Sequence, residues 1–281
     1  MREFWRQHPD VGNAVISEQI RNEISAALQA IRSSPKGLVV NDTIWYWKNP
    51  EGNIKPTVVN SAKFITGHFQ NYLETSVGWT QEMKLLGQTV DAYKEFPGEF
   101  RMYVLPEKKL PPLLERYEAE TGESLGPLAT ALYIKYCQKG APALESFLDP
   151  FLPFFDNRTL EKNIRVAIEF ETGNIASSFR AANKLDYLDR NDLIDLGIFI
   201  TSNDKPNCAA RIWPVTNRNG SFQELERRGF ARGLSVPLWT VGFQPDDFES
   251  SAPYLGDDGQ LYSMEPLNEP EIIADQRYEI W

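Results

Sequence analysis

The chain has 281 residues, 42% hydrophobic and 24% charged, with a net charge of −10. That is enough for a real core and is not the composition of a disordered chain. No apolar run reaches the roughly 18–20 residues of a membrane helix, and the polar start MREFWRQHPDVGN lacks a signal-peptide core, so an intracellular protein is expected.

Histidine is confined to His8 and His68, and Cys137 and Cys208 have no metal-ligand spacing. This weighs against a Ser-His-Asp triad, a Cys-His pair or a zinc centre, and makes the cysteines free thiols. Catalysis, if present, would rest on carboxylates and so on a hard cation. The acid excess is local. From Pro245 to Trp281 there are ten acids against Arg277 alone, so the rest of the chain is nearly neutral.

In chain order, Ile16, Ile20, Ile24, Leu28 and Ile31 predict a helix, with Ser17 as its cap and Pro35-Lys36-Gly37 as its stop. A β-prone stretch follows, GLVVNDTIWYWKNPEGN. Its Trp45, Tyr46 and Trp47 could stack on bases, but packing at a core edge is the simpler reading. The segment SAKFITGHFQNYLETSVGWTQEMKLLGQTVDAYKEF reads as mostly helical, broken near Gly78. EKKLPPLLERYEAETG and GPLATALYIKYCQKG read as two more helices, each closed by glycine. A helix-rich part over residues 1–140, a core over 141–240 and an acidic segment over 241–281 are therefore expected.

From Asn163 the pattern becomes strand, helix, strand. Ile164, Val166, Ile168 and Phe170 alternate with Arg165, Ala167, Glu169 and Glu171. The apolar set is assigned to the core under the helix that follows, NIASSFRAANKLDYLDRND. Then DLIDLGIFITSND predicts a buried strand, and the unit is a βαβ crossover. ARIWPVT suggests another strand, and SFQELERRGF a helix with a Ser221–Glu224 capping box.

Glu169 and Glu171 share one strand face, their Cα atoms roughly 6.5–7 Å apart. Their mutual repulsion is a cost that a divalent ion would remove. PFFDNRTLEKNIRVAIEFE reads as a hairpin turning at Glu161-Lys162-Asn163, which would bring Asp156 opposite Glu169. Asp149 competes for that part. Three carboxylates suit Mg²⁺, which keeps waters that can act as nucleophiles. Solvent-facing charge on an open strand is the plain alternative. The site's position at a strand's carboxyl end, and Arg180 and Lys184 on the next helix, favour phosphate chemistry.

Asp156, Glu169 and Glu171, followed by TGNIASSFRAANKL and the strand DLGIFITS, resemble the core of type II restriction endonucleases of the BamHI and BglII kind. These belong to the PD-(D/E)xK nuclease fold. The resemblance covers roughly residues 145–230. It implies an α/β restriction-endonuclease-like core, a mixed central sheet flanked by helices, in an intracellular prokaryotic protein. It further implies Mg²⁺-dependent hydrolysis of double-stranded DNA by a homodimer. Asp156 and Glu169 would hold the metal, and Glu171 would orient or deprotonate water, being itself a weak base at its usual pKa of about 4.3. Asn174 matches a polar residue of the relatives. Arg180, Lys184, Asn174, Asn203, Lys205 and Arg218 are the candidate DNA contacts, Arg and Asn being the residue types that read guanine and adenine. A structure-specific repair nuclease of the same fold and a non-enzymatic partner-binding protein are the competing readings. A glycosidase is disfavoured, because its two acids face each other across a sugar.

Overall fold

The computed structural model describes residues 1–6, 11–42, 45–48, 54–57, 60–122, 124, 141–142, 153–172, 175–203, 221–231, 234–256 and 258–262. Asp149, Asn174, Lys205, Arg218, both cysteines, the expected helix near 126–139 and the expected strand near 210–216 lie outside them.

The strands are β1 (Arg2–Arg6), β2 (Val39–Val40), β3 (Trp45–Lys48), β4 (Ile54–Thr57), β5 (Thr80–Leu85), β6 (Gln88–Val104), β7 (Ala141–Pro142), β8 (Asp156–Glu171), β9 (Leu196–Ser202), β10 (Leu238–Gln244), β11 (Asp247–Phe248), β12 (Tyr254–Leu255) and β13 (Leu261–Tyr262). The helices are α1 (Ala14–Ala30), α2 (Ala62–Val77), α3 (Leu110–Thr121), α4 (Ile175–Arg190) and α5 (Phe222–Arg227).

One mixed sheet runs β1-β10-β9-β8-β6-β5, with β7 also on β6. The β8–β9 and β9–β10 pairs are parallel, while β6–β8, β5–β6 and β1–β10 are antiparallel. The crossover β8–α4–β9 is the expected βαβ unit, and the architecture is the expected restriction-endonuclease-like one. Among the described residues no helix is long and apolar enough to cross a membrane.

Apolar periodicity explains both covered faces. Ile164, Val166, Ile168 and Phe170 of β8 join Ile20, Ile24 and Leu28 of α1 and Phe64, Phe69 and Leu73 of α2 in one buried cluster. Ala167 joins Ala181, Ala182 and Leu185 of α4 and Leu225 of α5 in a second cluster on the opposite face. The isoleucine face of β8 is thus under α1 and α2, not under the helix that follows it. Ala167 lies beside Gly197 of β9. A Cβ on Gly197 would come within 3.1 Å of Leu185, so two small residues side by side let α4 settle close to the sheet. Ala167 therefore makes room for a helix.

Helix caps follow the sequence closely. Asn13, not Ser17, caps α1: its side chain accepts from Ile16 N, worth about 1 kcal/mol. Gly78 and Gly122 end α2 and α3 in the left-handed conformation. At α5 the Ser221 hydroxyl accepts from Glu224 N, the first half of a capping box, while the Glu224 carboxylate pairs with Arg227 and Arg228 instead of returning to Ser221 N.

Two further expectations fail. Residues 80–96 are not helix. They form β5 and the first half of β6, joined by Leu86-Gly87, both at positive φ (46° and 77°). That is the backbone of a primed two-residue hairpin turn, where a leucine is unusual, and so the turn is hard to see in the sequence. Nor does the chain turn at Glu161-Lys162-Asn163. Strand β8 runs straight through, and its antiparallel partner is β6, paired from Ala92–Ile168 to Val104–Asp156.

Candidate active site

The hairpin correction moves Asp156. It stands at the start of β8, thirteen residues from Glu169, opposite Val104 and bonded to Lys109 Nζ at 2.9 Å. At about 3.3 Å per residue that is some 40 Å along the strand. Asp156 cannot share an ion with Glu169.

The residue beside Glu169 is Asp91. The β6–β8 register puts it one step beyond the Ala92–Ile168 pair, abreast of Glu169 and on the same face. The β5–β6 ladder passes from Gln81–Ala92 to Met83–Val90 and skips Glu82 and Asp91, with Glu82 at φ +47°. The strand is locally disturbed there, and the Asp91 carboxylate takes up the freed donor: Phe170 N donates to its Oδ2 at 2.7 Å. Distortions of this kind re-aim a side chain beside a site.

Glu169 is almost wholly buried, its side chain 3% exposed, because α4 closes over its face. Lys184 reaches down from α4, and its Nζ donates to Glu169 Oε1 at 2.7 Å, to Oε2 at 2.8 Å and to the Thr89 carbonyl at 2.7 Å. Glu171, two residues on, is partly exposed and accepts a hydrogen bond from the Ser177 side chain in the first turn of α4.

All three acids are pushed upward. Burial and the neighbouring Asp91 raise Glu169 to about 8, against the pull of Lys184. Burial raises Asp91, opposed by the Phe170 amide and Lys184. Burial and then Asp91 raise Glu171, opposed by Ser177, Lys184 and Arg180. Acids that lift one another's proton affinity in a shared cavity need more positive charge than Lys184 supplies.

Glu169 and Glu171 open on a cleft of about 580 Å³ lined also by Gln88, Arg180, Lys184 and Tyr187, among others. Arg180 is exposed at its wall. The carboxylate oxygens are the hard donors that Mg²⁺ prefers, so the donor chemistry fits such an ion. As the side chains stand, no three His, Cys, Asp or Glu groups among the described residues close on one point. Lys184 takes both oxygens of Glu169, and the Phe170 amide holds Asp91.

Of the sequence-derived candidates, Glu169, Glu171, Arg180 and Lys184 come together and Asp156 does not. Lys184 lines the cleft, but its Nζ donates to Glu169 and the Thr89 carbonyl rather than being left for a phosphate. Asn203 is buried and faces β10, where a Cβ on Gly242 would lie 2.3 Å from its Oδ1. It is not exposed for base contact. Asp91 was missed. Its signal is an isolated aspartate in the β-prone run QTVDAY, masked by the helical pattern expected over 61–96.

Residues 7–260 match the family of the restriction endonuclease BamHI. The type II restriction enzyme BamHI of Bacillus amyloliquefaciens is 32% identical over 124 residues, 43% of this chain and 52% of that protein. The chain thus spans about half the length of this curated relative. On the match over most of its length, the chain belongs to the BamHI restriction endonuclease family.

Proposed function

We propose that the protein is a Mg²⁺-dependent, sequence-specific endonuclease of double-stranded DNA. The observation that carries this reading is the trio of neighbouring acids: Asp91 abreast of Glu169, and Glu171 two residues on, with Glu169 and Glu171 lining a cleft whose wall includes the exposed Arg180. Asp91 and Glu169 would hold the ion, which when bound supplies Lewis-acid polarisation of the scissile phosphate and a more acidic water.

The chain's own groups do the rest. Glu171, steadied by Ser177, would orient the attacking water and accept its proton; its raised proton affinity makes it a better base than a free glutamate. Arg180 would pair with a phosphate oxygen, as a guanidinium fork does well. α4 excludes water from the Glu169 side. Asn174, Lys205 and Arg218 remain candidate DNA contacts, and a two-fold homodimer would set one site on each strand of a palindromic target.

The test is incubation of a phage-sized duplex with the protein and Mg²⁺. Discrete, reproducible fragments are expected. Intact DNA, or nicking confined to branched or damaged substrates, would overturn the reading.

A further inference from the structure

We propose that the Lys184 ammonium is the resident cation of the acidic cluster in the metal-free protein, and that a divalent ion binds by displacing it from Glu169. The proposal rests on the metal-binding reading of Asp91, Glu169 and Glu171.

An ammonium has three donors. Those of Lys184 meet three acceptors at 2.7–2.8 Å: both oxygens of Glu169 and the Thr89 carbonyl. No donor is left over for a phosphate. The lysine is fixed from above as well, because α4 is seated on Ala167 and Gly197 and cannot lift without uncovering its apolar face. Around this cation stand Asp91, Glu169 and Glu171, with Glu82 also beside Asp91 and Arg180 a further positive group beside Glu171.

The same observation explains why the acids do not close on one point. Glu169 has turned both oxygens to the lysine. An ion drawing on those oxygens would sit within a few ångströms of the ammonium, and like charges that close in a buried site exclude each other. Metal and lysine therefore compete for Glu169. A lysine that served only to hold α4 down, or only to meet phosphate, would not compete.

Calorimetric titration with Mg²⁺, without DNA and in alkaline buffer where the carboxylates are ionised, separates these roles. Lys184→Met keeps the length and removes the charge, Lys184→Gln is a second neutral variant, and Lys184→Arg keeps the charge. The neutral variants should bind Mg²⁺ about ten-fold tighter than the native protein, the scale on which one neighbouring charge moves a carboxylate's proton affinity. Lys184→Arg should stay within about two-fold of the native protein, since the competing charge remains. Equal or weaker binding in folded neutral variants, with binding lost in Glu169→Ala, would overturn the displacement alone. No binding by the native protein, or undiminished binding by Glu169→Ala, would overturn the metal reading and the displacement with it.

Discussion

Strand β8 carries a carboxylate–lysine pair near each end: Asp156 with Lys109 at 2.9 Å, and Glu169 with Lys184 at 2.7 Å. At the first, both side chains are at least one-third exposed, at 42% and 33%. Lys109 holds the Asp156 carboxyl below its usual range, and water screens the rest. At the second, α4 shuts out water, two more acids stand alongside, and the Glu169 proton affinity rises instead. The bond is nearly the same. The difference lies in burial and in the balance of charge, and only the unbalanced, buried end has use for a further cation.

A third node sharpens the point. Asp195 is also buried but accepts from Lys162 Nζ at 2.6 Å, from Arg165 Nε at 2.9 Å and from Arg165 N at 3.0 Å. Despite burial, these partners hold its carboxyl below the usual range. Here the acid is over-supplied with donors, and the cluster ties β8 to the start of β9.

The largest effect should come from the unbalanced end. Asp91→Asn or Glu169→Gln is expected to lower DNA cleavage by about a thousand-fold or more with the fold intact, as loss of a charge-stabilising group does. Gel assays with circular dichroism as the fold check would test this. Next comes the over-supplied node. Asp195→Ala removes the acceptor of Lys162 and leaves Arg165 with Asp192 alone, and should cost about 2–3 kcal/mol, the lower side of a broken buried pair because both cations are partly wet. A fall of several degrees in Tm, with residual cleavage at low temperature, is the expected outcome.

The pH dependence separates the same two ends. In the metal-free protein the folded Glu169 carboxyl titrates near 8, well above its unfolded value. The native state therefore holds a proton that the unfolded chain has released, and stability falls as pH rises through that window. Metal binding needs the ionised form, so apparent Mg²⁺ affinity should climb with pH and level off above about 8. Glu169→Gln should remove this term from the pH dependence of stability, as melts over the neutral range would show. Smaller still, Ser177→Ala should reduce kcat about ten-fold with Mg²⁺ affinity little changed, as expected for a residue that steadies Glu171 without touching the ion. Asp156→Asn should leave cleavage within about two-fold, because an exposed pair contributes little.

Much of the fold could be read from local pattern. The alternation in β8 and the apolar run of β9 bury the residues that their periodicity predicts, as do Ile20, Ile24, Leu28 and Ile31 at the 3.6-residue period of α1 and Ala182 and Leu185 in α4. Glu169 and Glu171 were legible because they sit two apart on one strand. Asp91 was not, because its closeness to Glu169 is a matter of register between strands 78 positions apart in sequence. That register is set by the buried pairs Ala92–Ile168 and Phe96–Ile164 against α1 and α2. The hairpin turn at Leu86-Gly87 carries no strong turn signal, so the pattern over 80–96 suggests helix and gives Asp91 no strand neighbour. The face that α4 covers was also not legible. The isoleucine face looked like the natural seat for a helix, and it is, but for α1 and α2.

The most direct test of the acidic site compares Asp91→Asn with Asp156→Asn on one long duplex DNA in Mg²⁺, beside the native protein. Fragments from the native protein and from Asp156→Asn, with none from folded Asp91→Asn, are predicted. Fragments from Asp91→Asn together with intact DNA from Asp156→Asn would contradict the site described above.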